Sequence, residues 1–143
     1  MLRPADVYLI SWGAHGPAAL DLAPTNGMRG SVLAASAADG ASAAINYESR
    51  KCSHHLTEQL CAGQGLQFVP LVVEACGGGW GPAAMNTWRK LGALHAAHIG
   101  LSNSEGVQQL LQALAIALQR ENARAVLRRT PCSADGLVAM VDP

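Results

Sequence analysis

The sequence predicts an α/β fold in which a small β-sheet, an N-terminal hairpin plus one buried strand, is flanked by helices. Residues 7–11 and 18–22 are short β-prone runs separated by Gly13, Gly16 and Pro17, the pattern of two strands joined by a wide turn. Residues 66–76 (L-Q-F-V-P-L-V-V-E-A-C) are almost continuously apolar and rich in β-branched side chains, which suits a buried strand. Val107, Leu110, Leu111, Leu114, Leu118 and Ala125 recur at helical period, as in a helix that lays one face on a core.

Taken in order, the hairpin ends in a loop marked by Pro24, Asn26, Gly27 and Gly30. Pro24 has no amide to donate, so it is expected to shorten the second strand or push it to an edge. Residues 31–44 are rich in Ala and Ser, and any helix there breaks near Asp39 and Gly40. Residues 43–61 read as one helix whose apolar face gathers Ala44, Ile45, Cys52, Leu56, Leu60 and Cys61, with Gly63 and Gly65 ending it. Pro70, inside the buried strand, marks a bulge or an edge. The G-G-G-W-G run that follows lacks the ending of a P-loop and the spacing of a dinucleotide loop, and reads as a tight turn covered by Trp80. Pro82 suits the first turn of a helix over residues 83–95. Ser102 or Asn103 caps the last helix, with Glu105 in its first turn. One domain is expected over residues 1–129, with a loose tail over 130–143.

Half of the 143 residues are apolar, but with one Phe, two Tyr and three Trp the core must lean on Leu, Val and Ala. A net charge of zero argues against a strongly basic nucleic-acid binder. Positive charge nevertheless clusters at Arg89 and Lys90, and again at Arg120, Arg124, Arg128 and Arg129. Arg120, Arg124 and Arg128 recur every fourth residue and stack on one helix face, where they form a nucleic-acid-binding row or simply a solvated surface. The four cysteines contain no CxxC pair, which argues against a zinc site or a disulfide framework. No apolar run approaches the ~20 residues of a membrane span, and no signal pattern opens the chain. An intracellular protein with reduced thiols and no membrane partner is expected.

Acids inside apolar runs are the candidates for chemistry. Asp6 opens the first strand, and Asp21 lies between Leu20 and Leu22 in the second. Two carboxylates at adjacent strand ends suit a hard cation such as Mg²⁺, which takes oxygen ligands, polarises a phosphate and acidifies a bound water. Asp6 alone also reads as a strand-end residue bonded to backbone amides, whereas Asp21 needs a partner wherever it is buried. Lys51 follows Tyr47 and Glu48 on the next helix. It can stabilise charge developing on a phosphodiester, or it belongs with Glu48 and Arg50 to a solvated face.

These residues fall in an order that resembles a known family. Arg3-Pro4-Ala5-Asp6-Val7, Ala18-Ala19-Leu20-Asp21, Tyr47-Glu48 with Lys51 and His54, Cys61, the F-V-P-L-V-V-E-A-C-G-G-G-W-G-P-A-A block from Phe68 and the A-L-Q-R-E-N-A-R-A segment from Ala117 resemble the PD-(D/E)xK-type endonuclease domain. That domain closes the reverse transcriptase polyproteins of some non-LTR retroelements. The resemblance implies a reduced restriction-endonuclease-like core, with Asp6 and Asp21 holding Mg²⁺ (or Mn²⁺). Ala23 stands where the ordinary lysine would be, and Lys51 is the lysine that has migrated to the following helix. Glu48, His54 and Glu74 become auxiliary residues. Glu74 either bonds amides of the Gly77–Gly79 loop or positions the metal water, and His54 either contacts phosphate or satisfies a hydrogen bond of the core.

The reaction implied is nicking of target DNA for retroelement integration, in the nucleus, by a domain normally fused to a reverse transcriptase. The family has a helix, and often a strand, before the first acid, so the domain is expected to be truncated at its N-terminus. The other reading is a non-catalytic retroelement-derived fragment that binds nucleic acid or a protein partner.

Overall fold

The computed structural model describes residues 5–77 and 79–129, the His15 side chain excepted. The strands are β1 (Val7–Leu9), β2 (Ala18–Thr25) and β3 (Gln67–Glu74). The helices are α1 (Leu33–Ala38), α2 (Ser42–Ser53), α3 (Thr57–Gly63), α4 (Pro82–Ile99) and α5 (Asn103–Arg129). The strands form one three-stranded sheet in the order β1-β2-β3. β1 and β2 are the expected antiparallel hairpin, with Val7 opposite Leu20, and β3 runs parallel to β2, with Asp21 opposite Pro70. The fold is therefore mixed α/β, a small sheet between helices. The tail expected over residues 130–143 lies outside the described residues.

Side chains alternate between the faces of a strand, and this divides the protein into layers. Ala18 and Leu20 of β2 join Val69 and Leu71 of β3 in a core with Trp12, Ala84 and Trp88, and Leu110, Leu111 and Leu114 of α5 pack against it. Asp21 and Ala23 alternate with these residues and face the other side, where α2 and α3 lie. Val72 on that side is fully buried.

The two strand prolines divide differently than expected. Pro70 does mark an edge: the Gln67 and Ala75 amides donate to Pro17 and Thr25 of the β2 side at 3.0 and 2.8 Å, so Pro70, out of phase with both, turns its missing donor away from β2. Pro24 neither shortens β2 nor moves it to an edge, because β2 is the central strand and continues to Thr25. The Leu22 amide points toward β1. Pro24, two residues on, therefore turns its missing donor to the same side, beyond the end of β1, where no ladder bond is required.

The single helix expected over residues 43–61 is two helices. His55 and Leu56 both adopt left-handed backbone angles, φ 52° and 57°, and the chain kinks through a 3-10 turn at His54–Leu56. The kink shifts the phase of the helical face. Leu56 and Leu60, expected inside, are 57% and 59% exposed, and Ile45 is also exposed, while Ala43, Ala44 and Cys61 are buried.

α4 and α5 form a close antiparallel pair. Gly100 ends α4 in the left-handed conformation, and the Leu101 amide donates to Ala96 O at 2.9 Å, a glycine-based helix stop. Ser102 and Glu105 then cap α5 reciprocally: the Ser102 amide donates to Glu105 Oε2 at 3.0 Å and the Glu105 amide to Ser102 Oγ at 3.3 Å. Gly92 and Gly106 mark the crossing point, where a Cβ on Gly92 would lie 2.6 Å from Val107 Cα.

Candidate functional site

Asp6, just before β1, and Asp21, in the middle of β2, are held by the hairpin itself. The Asp6 amide donates to Leu20 O at 2.9 Å, and the Asp6 carboxylate accepts the Leu22 amide through Oδ2 at 2.9 Å. Continuing the Val7–Leu20 register by one residue sets Asp6 opposite Asp21. Asp6 therefore performs the strand-end task open to it from sequence alone, satisfying an amide of β2 that lies beyond the end of β1.

Asp21 has the partner its half-buried position requires. Lys51 Nζ donates to Asp21 Oδ2 in a direct ion pair, with side-chain exposures of 22% and 21%. α2 delivers Lys51 from near its C-terminal end, about two turns beyond the buried Ala43 and Ala44. The Lys51 ammonium also lies 5.9 Å from the Tyr47 ring centroid, within cation–π range. The structure thus joins Asp21 to Lys51 and places Asp6 one residue before the adjoining strand β1.

The other sequence candidates lie apart from this group. Glu74 pairs in register with Thr25, four residues beyond the level of Asp21, or about 13 Å along the sheet at about 3.3 Å per residue. It is buried, and its Oε1 accepts the Gly27 amide at 2.9 Å, tying the loop after β2 to the end of β3. The nearby Glu74 carboxylate pushes the Cys76 thiol pKa up, with burial and a hydrogen bond to Glu74 adding to the effect.

Glu48 lies one helical turn from Lys51, yet its carboxylate turns to the start of α4. Both of its oxygens accept the Ala83 amide at 3.1 Å. Burial raises its pKa above the ordinary value, outweighing the opposing effect of the Ala83 hydrogen bond. Gly81 has no side chain, and a Cβ there would collide with Glu48 Oε2. His54 sits on the kink, exposed, with its ring centroid 3.9 Å from that of His55.

Arg120, Arg124 and Arg128 are exposed on α5, in the helix layer on the other side of the sheet from Asp21. Arg124 pairs with Glu121 on its own helix. Sequence reasoning missed the capping role of Glu48. The available signal was Pro82 preceded by Gly81, a helix start with no side chain of its own to cap it.

The donor set can be tested against a hard divalent cation. Asp6 Oδ1 and Asp21 Oδ1 carry no hydrogen bond among the described residues. Mg²⁺ usually takes one or two protein carboxylates and completes its octahedron with water and phosphate oxygens. A larger protein cage is not present: among the described residues no group of three or more His, Cys, Asp or Glu could hold a metal ion. Two aspartates match that smaller requirement in number. Among the described residues no helix is long and apolar enough to cross a membrane. No family model matches the chain, and no curated protein and no solved structure matches it either.

Proposed function

We propose that this chain is a metal-dependent DNA endonuclease unit, a reduced restriction-endonuclease-like core of the kind carried by non-LTR retroelements beside a reverse transcriptase. The reading rests on one observation above the rest: Lys51, thirty residues away in sequence, reaches Asp21 directly while Asp6 stands just before the adjoining strand β1. Asp6 and Asp21 would hold Mg²⁺ or Mn²⁺ through the oxygens left over from their hydrogen bonds. The cation supplies Lewis acidity at a phosphate and a lowered pKa for a bound water. Lys51, paired with Asp21, would offset with its ammonium the negative charge that grows on the phosphate oxygens. Target-DNA nicking for integration, in the nucleus, is the corresponding activity.

The test is conversion of supercoiled plasmid to the nicked form in Mg²⁺ or Mn²⁺ by the wild type and by Asp21→Ala. The wild type is expected to nick, and the variant to lose at least tenfold in rate. Equal nicking by both removes the assignment.

A second reading, a non-catalytic fragment that binds nucleic acid or a protein partner, draws on different features. These are the exposed arginines of α5 and the apolar Ile116, Val126 and Leu127 exposed on the same helix. Salt-dependent DNA binding without nicking would favour it.

A further inference from the structure

Tyr47, Arg50 and Lys51 stand at i, i+3 and i+4 of α2 and so share one of its faces. Arg50 Cζ lies 5.8 Å from the Tyr47 ring centroid, and Lys51 Nζ lies 5.9 Å from it. One half-buried ring therefore borders two cations at distances where its negative face attracts both. The cations differ in what else they touch. Lys51 is paired with Asp21, whereas Arg50 is exposed and has no carboxylate partner among the described residues. Arg50 is thus an exposed guanidinium without a carboxylate counter-ion among the described residues, near the ring that also borders Lys51.

We propose that Arg50, restrained by Tyr47, is a phosphate contact for duplex DNA beside the Asp21–Lys51 pair. The inference rests on the nuclease reading of that pair and adds to Lys51 a second cation at the site, one not already engaged by a carboxylate among the described residues. The arginine row of α5 belongs to the other helix layer and cannot be that second cation. Duplex affinity comes largely from phosphate neutralisation, and a guanidinium matches phosphate oxygens with a planar fork of donors. Arg50 also lies in the last turn of α2, where any cation offsets the helix dipole. That role asks only for charge, and lysine would serve it equally.

The experiment is equilibrium binding of a short fluorescein-labelled duplex in Ca²⁺, across a range of salt, by the wild type, Arg50→Gln and Arg50→Lys, with thermal unfolding of each. Arg50→Gln is expected to weaken binding several-fold and to reduce the slope of log affinity against log salt by about 0.9, the value of one phosphate contact. Arg50→Lys is expected to keep the slope and recover only part of the affinity. Wild-type affinity and slope in Arg50→Gln overturn the proposal. So does an affinity loss that merely follows a loss of thermal stability, and so does a wild type with no salt-dependent binding. Nicking in Mg²⁺ is scored separately. Arg50-dependent binding by a wild type that never nicks removes the nuclease reading and supports the contact. Nicking that depends on Asp21 while Arg50→Gln binds like the wild type removes the contact alone.

Discussion

Replacing Asp21 by Asn and Lys51 by Met, singly and together, measures how tightly the two are held. Unit charges about 4 Å apart attract by about 4 kcal/mol at an effective dielectric near 20. The two side chains keep only 22% and 21% of their surface, so each has given up most of its hydration, and that loss cancels most of the attraction. Exposed pairs measure about 0.2–1 kcal/mol, and breaking a buried pair costs about 3–5 kcal/mol. The expected coupling in a double-mutant cycle is about 1–1.5 kcal/mol, closer to the exposed limit because solvent still reaches both groups.

Urea unfolding at neutral pH gives the four stabilities. Repeating the cycle near ~1 M salt should remove only part of the coupling, since screening acts weakly on groups removed from solvent. A coupling near zero would mean that the ion pair has no energetic content. A coupling above about 3 kcal/mol would be as damaging to the functional argument. Lys51 would then be locked on Asp21, and no phosphate could draw its ammonium away.

Two further outcomes follow from packing and from titration. Gly106→Ala places a Cβ 2.5 Å from the Ala96 Cβ, an overpacking cost of about 3 kcal/mol that outweighs the gain of about 1 kcal/mol in helix propensity, so stability should fall by about 2 kcal/mol; unchanged urea unfolding would refute the close α4–α5 contact. Glu48 has a folded pKa raised above the ordinary 4.5, mainly by burial. The native state therefore holds that proton more tightly than the unfolded chain does, and the charge on Glu48 opposes folding above its folded pKa. This contribution should ease as pH falls through the folded pKa toward the ordinary value, so the stability difference between wild type and Glu48→Gln should narrow or shift in favour of the wild type on acidification; a difference independent of pH would sink the argument.

Much of the architecture was legible because its signals are local. The hairpin, the apolar run of β3 and the α5 stripe each announce a period and a place where it stops. What escaped depends on which neighbour a residue meets. Whether a proline harms a strand is decided by the side its missing donor faces. Pro24 and Pro70 look alike in sequence, yet one lies in the central strand and the other on an edge. The kink at His55 and Leu56 carried no glycine to advertise left-handed backbone, so residues 43–61 read as one helix and its apolar face was drawn in the wrong phase.

The site divides in the same way. A carboxylate between Leu20 and Leu22 demanded a partner, and that demand is chemical, so Asp21 stood out before Lys51 was known to reach it. Glu48 and Glu74 looked equally eligible as acids. Their places were decided by distant amides, those of Ala83 and Gly27, which no local pattern reveals.

Asp6 joins the two kinds of evidence. Read from sequence it was either a strand-end residue bonded to backbone or a metal ligand, as if one excluded the other. The geometry removes the opposition. Through Oδ2, Asp6 accepts the Leu22 amide where β1 no longer supplies a partner, and Pro24, two residues on, needs none, so that side of β2 is completed by a carboxylate and an imino acid rather than by more strand. A ligand carboxylate works best when a hydrogen bond to its other oxygen fixes its orientation. The bond that gives Asp6 a structural role is therefore the same one that would hold Oδ1 steady for a cation, and losing it should harm the hairpin and the site together.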